Sequence, residues 1–199
     1  RVETSAGKIP MAEVKSVAVA EVLLKAGSRL DVVMKSKYDK KSYCIADVKP
    51  YPVRRYLWEQ RAPLTDPQSI FHAAAFSGDI LFLEAHASEL VKSRKFIKSA
   101  MQSGKIEVLK WFERHGWSLS DVDEEGQTVL HYCASTNVTM EIYEYAYRKC
   151  GHKLEETDVK GATPLHYAVN DDVIDFLVRH GVDVSAKTKD GIEPIACNF

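Results

Sequence analysis

The sequence predicts an all-α fold, a solenoid of about six to seven irregular helix-turn-helix repeats with hairpin-like loops, running as one domain over residues 1–199. Two observations carry this expectation. Gly126-Gln127-Thr128-Val129-Leu130-His131 returns 35 residues later as Gly161-Ala162-Thr163-Pro164-Leu165-His166, followed by Tyr132-Cys133 and Tyr167-Ala168 respectively. Each copy has an aspartate just upstream (Asp123, Asp158) and a glycine downstream (Gly151, Gly181). Helix exits recur as well, as Lys25-Ala26-Gly27, Arg114-His115-Gly116 and Arg179-His180-Gly181.

Each part of the motif has a physical role. Thr128 and Thr163 stand where a helix begins, and a threonine hydroxyl there caps free backbone N–H groups. Pro164 suits the first helical turn, where its missing N–H costs nothing. Leu130, Leu165 and Ala168 then face inward at helical spacing. Cys133 takes the small position that Ala168 fills in the next copy. His131 and His166 are expected to hydrogen-bond between neighbouring loops as structural fasteners. No carboxylate or cysteine shares a metal-ligand spacing with them. His115 and His180, at helix ends with Arg114 and Arg179, are expected to cap; basic groups suit a helix C-terminus and glycine suits the left-handed exit.

A box of this kind, repeated in register at a period near 33 residues, resembles the ankyrin-repeat family. The best-matched residues, 123–186, cover about a third of the chain, and weaker copies extend the likeness over nearly all of it. The resemblance implies a unit of turn, two antiparallel helices and a hairpin-like loop. It also implies a scaffold that binds other proteins, which is a statement about fold more than about chemistry.

Taken in order, the repeats fall near 7–38, 39–66, 67–92, 93–121, 122–157 and 158–187, with a partial seventh at 188–199. The first opens with a worn box at Gly7 to Val14 and ends at Gly27. Residues 28–41 then form a long connection with a basic tip (Lys35, Lys37, Lys40, Lys41). The next box, Lys41 to Val48, is faint, and its second helix is Val53 to Trp58, with Trp58 packed beside Leu57. Pro50 and Pro52 restrict the chain between its helices. Val14 to Gly27, Val48 to Arg61 and Ala168 to Gly181 each span 13 residues, about one helical turn short of the family interval, and Arg61 takes the glycine's place. The third repeat has a full box, Ser69 to Asp79, and a second helix over 80–91 with an irregular end. In the fourth, Lys95-Phe96-Ile97-Lys98 replaces the box, although the rest of the pattern returns through Gly116. In the fifth, Tyr143, Tyr145 and Tyr147 cannot share one helical face. The seventh begins at Asp190 and stops at Phe199, so the array is expected to be part of a longer chain or to end in a half-repeat cap.

Composition excludes several classes. The net charge of −1 gives no global field for nucleic acid, and only the 35–41 loop is basic, so no nucleic-acid partner is expected. No run of 18 apolar residues exists, so no membrane insertion is expected. The four cysteines, Cys44, Cys133, Cys150 and Cys197, lack CxxC spacing and are read as reduced thiols of an intracellular protein, cytoplasmic or nuclear. No phosphate-cradling glycine loop, HExxH or GxSxG motif occurs; neither an enzyme, a cofactor nor a metal is expected. The carboxylates of Asp121, Asp123, Glu124 and Glu125 lack calcium-loop spacing and are read as a solvated tip.

What remains is a surface. By the resemblance, the residue after the box histidine points toward the concave face, which is Tyr132 and Tyr167 here, with Ala73 in the third repeat. Phe76, Gln102, Ser135 and Asn170 are expected on the same side, further along their helices. The two tyrosines are either partner anchors or stack on one another across repeats. Trp117, after a helix-ending glycine, is expected as a second, isolated anchor. The function expected is a non-catalytic scaffold binding one polypeptide. The alternative is a regulatory or targeting domain of a larger enzyme whose catalytic part lies elsewhere.

Overall fold

The computed structural model describes residues 14–28, 33–35, 42–44, 49–150 and 153–194. The worn box before Val14, the loop tip at 36–41, residues 45–48, Gly151-His152 and the end of the partial seventh repeat lie outside them. The chain parts into two compact regions, Arg1–Ala74 and Ala75–Phe199.

In the first region, α1 (Val17–Lys25) starts at Ser16, whose hydroxyl accepts from the N–H of Val19 (3.4 Å). It ends as expected at Gly27, with φ +83° and the N–H of Ser28 returning to the Leu23 carbonyl (2.9 Å). α2 (Tyr51–Glu59) follows Pro50 and carries Pro52 in its first turn, where a proline costs no hydrogen bond. Val14, Ala20, Val53, Leu57 and Ala62 form the buried cluster between these helices. Trp58 meets the ring of Phe71 edge-on at 6.1 Å.

One feature of this region departs from the helical expectation. Residues 33–44 hold an antiparallel pair, β1 (Val33–Lys35) and β2 (Ser42–Cys44), in register Val33↔Cys44, Met34↔Tyr43 and Lys35↔Ser42. The faint box placed at 41–48 is therefore corrected: its first residues are a strand. It has no threonine–proline start, and valine and tyrosine favour the extended backbone.

The second region is helical throughout its described residues. α3 (Ser69–Ser77) carries the boundary between the two. α4 (Ile80–Ala85) is capped by the Asp79 carboxylate, which accepts from the N–H of Phe82 (3.1 Å). It stops short of the expected 80–91 span and gives way to a 3₁₀ turn at Ala87–Glu89. Three pairs follow: α5 (Lys95–Gln102) with α6 (Ile106–Arg114), α7 (Val129–Ala134) with α8 (Met140–Lys149), and α9 (Pro164–Tyr167) with α10 (Asp171–Arg179). α7 packs against α5 and α9, while α8 packs against α6 and α10. First helices thus form one row and second helices another. α9 is a single turn, Pro164–Tyr167. Phe96, Ile97, Leu109, Phe112, Leu130, Ile142, Tyr143 and Leu177 fill the space between the rows. No helix among the described residues is long and apolar enough to cross a membrane.

Arg61 is the only non-glycine residue at positive φ among the described residues (φ +65°), and it occupies the helix exit that Gly27 and Gly181 take elsewhere. A side chain in this conformation costs about 1–2 kcal/mol, and glycine gives back part of that through its freer unfolded chain. Arg61→Gly is expected to raise stability by about 0.5–1 kcal/mol in urea denaturation; an unchanged midpoint would show that the exit is unstrained.

Candidate binding face

The box residues build the face from its loops upward. Thr128 begins α7, and its hydroxyl oxygen accepts from the N–H of Leu130 (3.2 Å). The backbone N–H of Thr128 donates to Nδ1 of His131 (3.0 Å), which closes a reciprocal cap. Nε2 of the same ring lies 3.0 Å from the Ala162 carbonyl in the next repeat. A carbonyl can only accept, so Nε2 carries the proton, Nδ1 is the acceptor and the ring is neutral. Burial, 1% exposure, also holds the His131 pKa below its ordinary value, outweighing the acceptor carbonyl and nearby carboxylates. His166 repeats the arrangement with Thr163 (3.0 Å) and the Ile192 carbonyl (3.1 Å). Both histidines are the inter-loop fasteners expected.

Backbone bonds reinforce them. The N–H of Val159 donates to the Glu125 carbonyl, and that of Lys189 to the Lys160 carbonyl, each at 2.9 Å. Gly126 and Gly161 sit at φ +74° and +77°. A Cβ on either would stand 3.2 or 3.1 Å from the incoming amide nitrogen of the next loop. Left-handed backbone and close approach therefore both require glycine there.

The aspartate upstream of each box is evident in the sequence, but its role is the piece that sequence reasoning missed. Oδ1 of Asp123 accepts from the N–H groups of Glu125 (2.9 Å) and Gln127 (2.7 Å), and Oδ2 accepts from the Tyr132 hydroxyl. Oδ1 of Asp158 accepts from Lys160 and Ala162 (both 2.9 Å), and Oδ2 from the Tyr167 hydroxyl (2.7 Å). Burial works against ionising either carboxyl, but these donors together hold both below the usual carboxylate range. Burial and the bond to Asp123 push the Tyr132 hydroxyl pKa up; for Tyr167 the bond to Asp158 is the larger cause. The signal was present in the sequence, since aspartate and tyrosine stand nine residues apart in both copies. Asp123 is accordingly a loop organiser rather than a solvated tip residue.

The expected face residues are distributed as follows. Tyr132 and Tyr167 are half-buried on adjacent helices, and each reaches back to its own loop. The Tyr167 ring meets His131 edge-on at 5.8 Å, and the Lys98 ammonium lies 5.3 Å from the Tyr132 ring centre. Gln102, at the end of α5, is exposed, as is Ser135, which closes α7. Phe76 is 56% exposed on α3. Asn170 is not on a first helix: α9 ends too early, so Asn170 instead caps α10, accepting from Asp172 (2.9 Å) and donating to Asn137 (2.8 Å). Trp117 is not isolated. It packs edge-on against Phe96 and Phe112 beside Trp111, with the Lys92 ammonium over its ring.

At the far ends of the second helices, Nδ1–H of His115 donates to the Trp111 carbonyl (2.8 Å) and that of His180 to the Phe176 carbonyl (2.7 Å), so both are the helix caps expected. Among the described residues, no group of three or more His, Cys, Asp or Glu side chains is placed to hold a metal ion.

Residues 96–188, which run from α5 to the loop after α10, match the family model for ankyrin repeats in three copies. This stretch is an ankyrin-repeat array. The three ankyrin copies match in number the three helix pairs described above. A comparison with curated proteins finds no match. Ankyrin arrays serve in general as protein-interaction modules.

Because the His131 pKa is lowered in the folded state, the unfolded chain binds the extra proton first as pH falls. Stability contributed here is complete above the unfolded histidine value of about 6.5 and is lost as pH falls below it. The stability that Asp123 and Asp158 contribute is complete above the unfolded carboxyl value of about 4 and is lost only as pH falls below it, outside the histidine window. His131→Gln is expected to be less stable at neutral pH and to show a flatter fall between about pH 6.5 and 5 in urea titrations; parallel curves would mean that His131 does not titrate in this range.

Proposed function

We propose that the array is a non-catalytic protein-interaction scaffold that grips a polypeptide through the first-helix row and the loop tips. What supports this is the combination of rigidity and open side chains. Gln102, Tyr132 and Tyr167 lie on three consecutive first helices, α5, α7 and α9, and the loops before α7 and α9 are fixed by the His131, Asp123 and Asp158 bonds. A surface held in place before contact loses little entropy on binding. We take α3 and α4 as a further unit of the same scaffold, because they share its glycine turn at Gly78 (φ +75°). The protein then works inside the cell, where the buried thiols of Cys133 and Cys150 stay reduced.

Tyr132 and Tyr167 are poor probes of this face, because each also holds its own loop. The exposed positions are better. Phe76→Glu, Gln102→Arg and Ser135→Arg together are expected to leave the helical circular-dichroism spectrum unchanged. Capture of partner protein from lysate of the native cell, quantified by mass spectrometry, should fall at least about tenfold, as for loss of contacts at the centre of an interface. Equal capture of the same proteins by wild type and variant would remove the partner from this face.

A further inference from the structure

An open cleft of about 810 Å³ lies between the segment leading into α5 and the loop leading into α7. One side carries Lys92, Arg94, Lys95 and Lys98; the other carries Glu124 and Glu125. Opposite charges facing one another across a gap normally pair. Here the cations form no ion pair with Glu124 or Glu125 among the described residues. The Lys92 ammonium is held by the Gly116 carbonyl (3.1 Å) and Trp117, and the Lys98 ammonium lies over Tyr132. Aromatic faces and a carbonyl position these charges without neutralising them.

Arg94 adds to the imbalance. All three guanidinium nitrogens are shut off from solvent, and none has a hydrogen-bond acceptor. An unpaired buried charge is costly and favours an anion nearby. Asp123 stands within electrostatic reach of Arg94. Its oxygens are already engaged by Glu125, Gln127 and Tyr132. The α5 side is thus left positive and the loop side negative. A uniformly anionic chain would meet Glu124 and Glu125, and a uniformly cationic one would meet Lys95 and Lys98. The cleft volume is in the range that takes a small ligand or a few side chains.

We propose that this cleft docks a short polypeptide segment of mixed charge, its carboxylate set against the exposed Lys95 and Lys98, with the buried Arg94 charge behind them, and its basic side chain against Glu124 and Glu125. The site rests on the scaffold function proposed above, and names where and what kind of segment the scaffold takes.

The test uses three synthetic Gly/Ser peptides of about ten residues, one with two glutamates followed by two lysines, one with four glutamates and one with four lysines. Each is titrated into the isotope-labelled full chain and followed by amide NMR shifts. The mixed peptide is expected to give saturable shifts at residues 92–98 and 122–127 that weaken as salt rises. Lys95→Glu with Lys98→Glu, and separately Glu124→Lys with Glu125→Lys, should each weaken it about tenfold. These side chains are exposed, and an unchanged amide spectrum outside the cleft checks that the variants fold. Absence of saturable shifts with the mixed peptide, or equal affinity for a single-charge peptide, would overturn the proposal. Partner capture from lysate separates the two inferences: failure in the titration with capture still dependent on Phe76, Gln102 and Ser135 removes the cleft alone, and failure of both removes the scaffold as well.

Discussion

The bond between Nε2 of His131 and the Ala162 carbonyl organises the stack around it. It requires the ring to be neutral, which burial and the Thr128 N–H on the other nitrogen both favour. In one ring the helix start of one repeat, its own loop and the loop of the next repeat are joined. With that ring in place, Gly126 can bring its loop against Val159, and Asp123 can close the turn beneath it. Remove the ring and a buried carbonyl and a buried N–H lose partners together, which costs far more than one exposed hydrogen bond.

The loops and helix starts were legible because their instructions are local. Threonine, proline, histidine and glycine each act within a few residues of themselves, and the caps at Thr128, Thr163, His115 and His180 all form as their positions imply. The aspartate–tyrosine lock was equally present in both copies, but read as two separate features, a charged tip and an aromatic anchor. Its meaning depended on a loop folding back so that residues nine apart could touch.

Less was legible where contacts span repeats. The Trp111 indole donates to Glu84 across 27 residues, and the Lys105 ammonium donates to the Ser77 carbonyl across 28. Neither pairing has a local signal, because it depends on how adjacent repeats are offset. The same holds for Trp117, expected as an isolated anchor, whose ring packs edge-on against Phe96 of α5 and Phe112 of α6. The β1–β2 pair illustrates a different limit. A repeat box eroded to a few residues no longer outweighs the strand preference of valine and tyrosine.

Each inter-repeat bond of the loops joins a repeat to its neighbour and to nothing further away. Tension applied along the stack would therefore load the junction held by His131–Ala162 and Val159–Glu125 in series with the one held by Lys189–Lys160. Such a chain yields at its weakest junction first and lengthens by one repeat at a time. The same construction that holds the first-helix face still would make the array a stepwise mechanical extender.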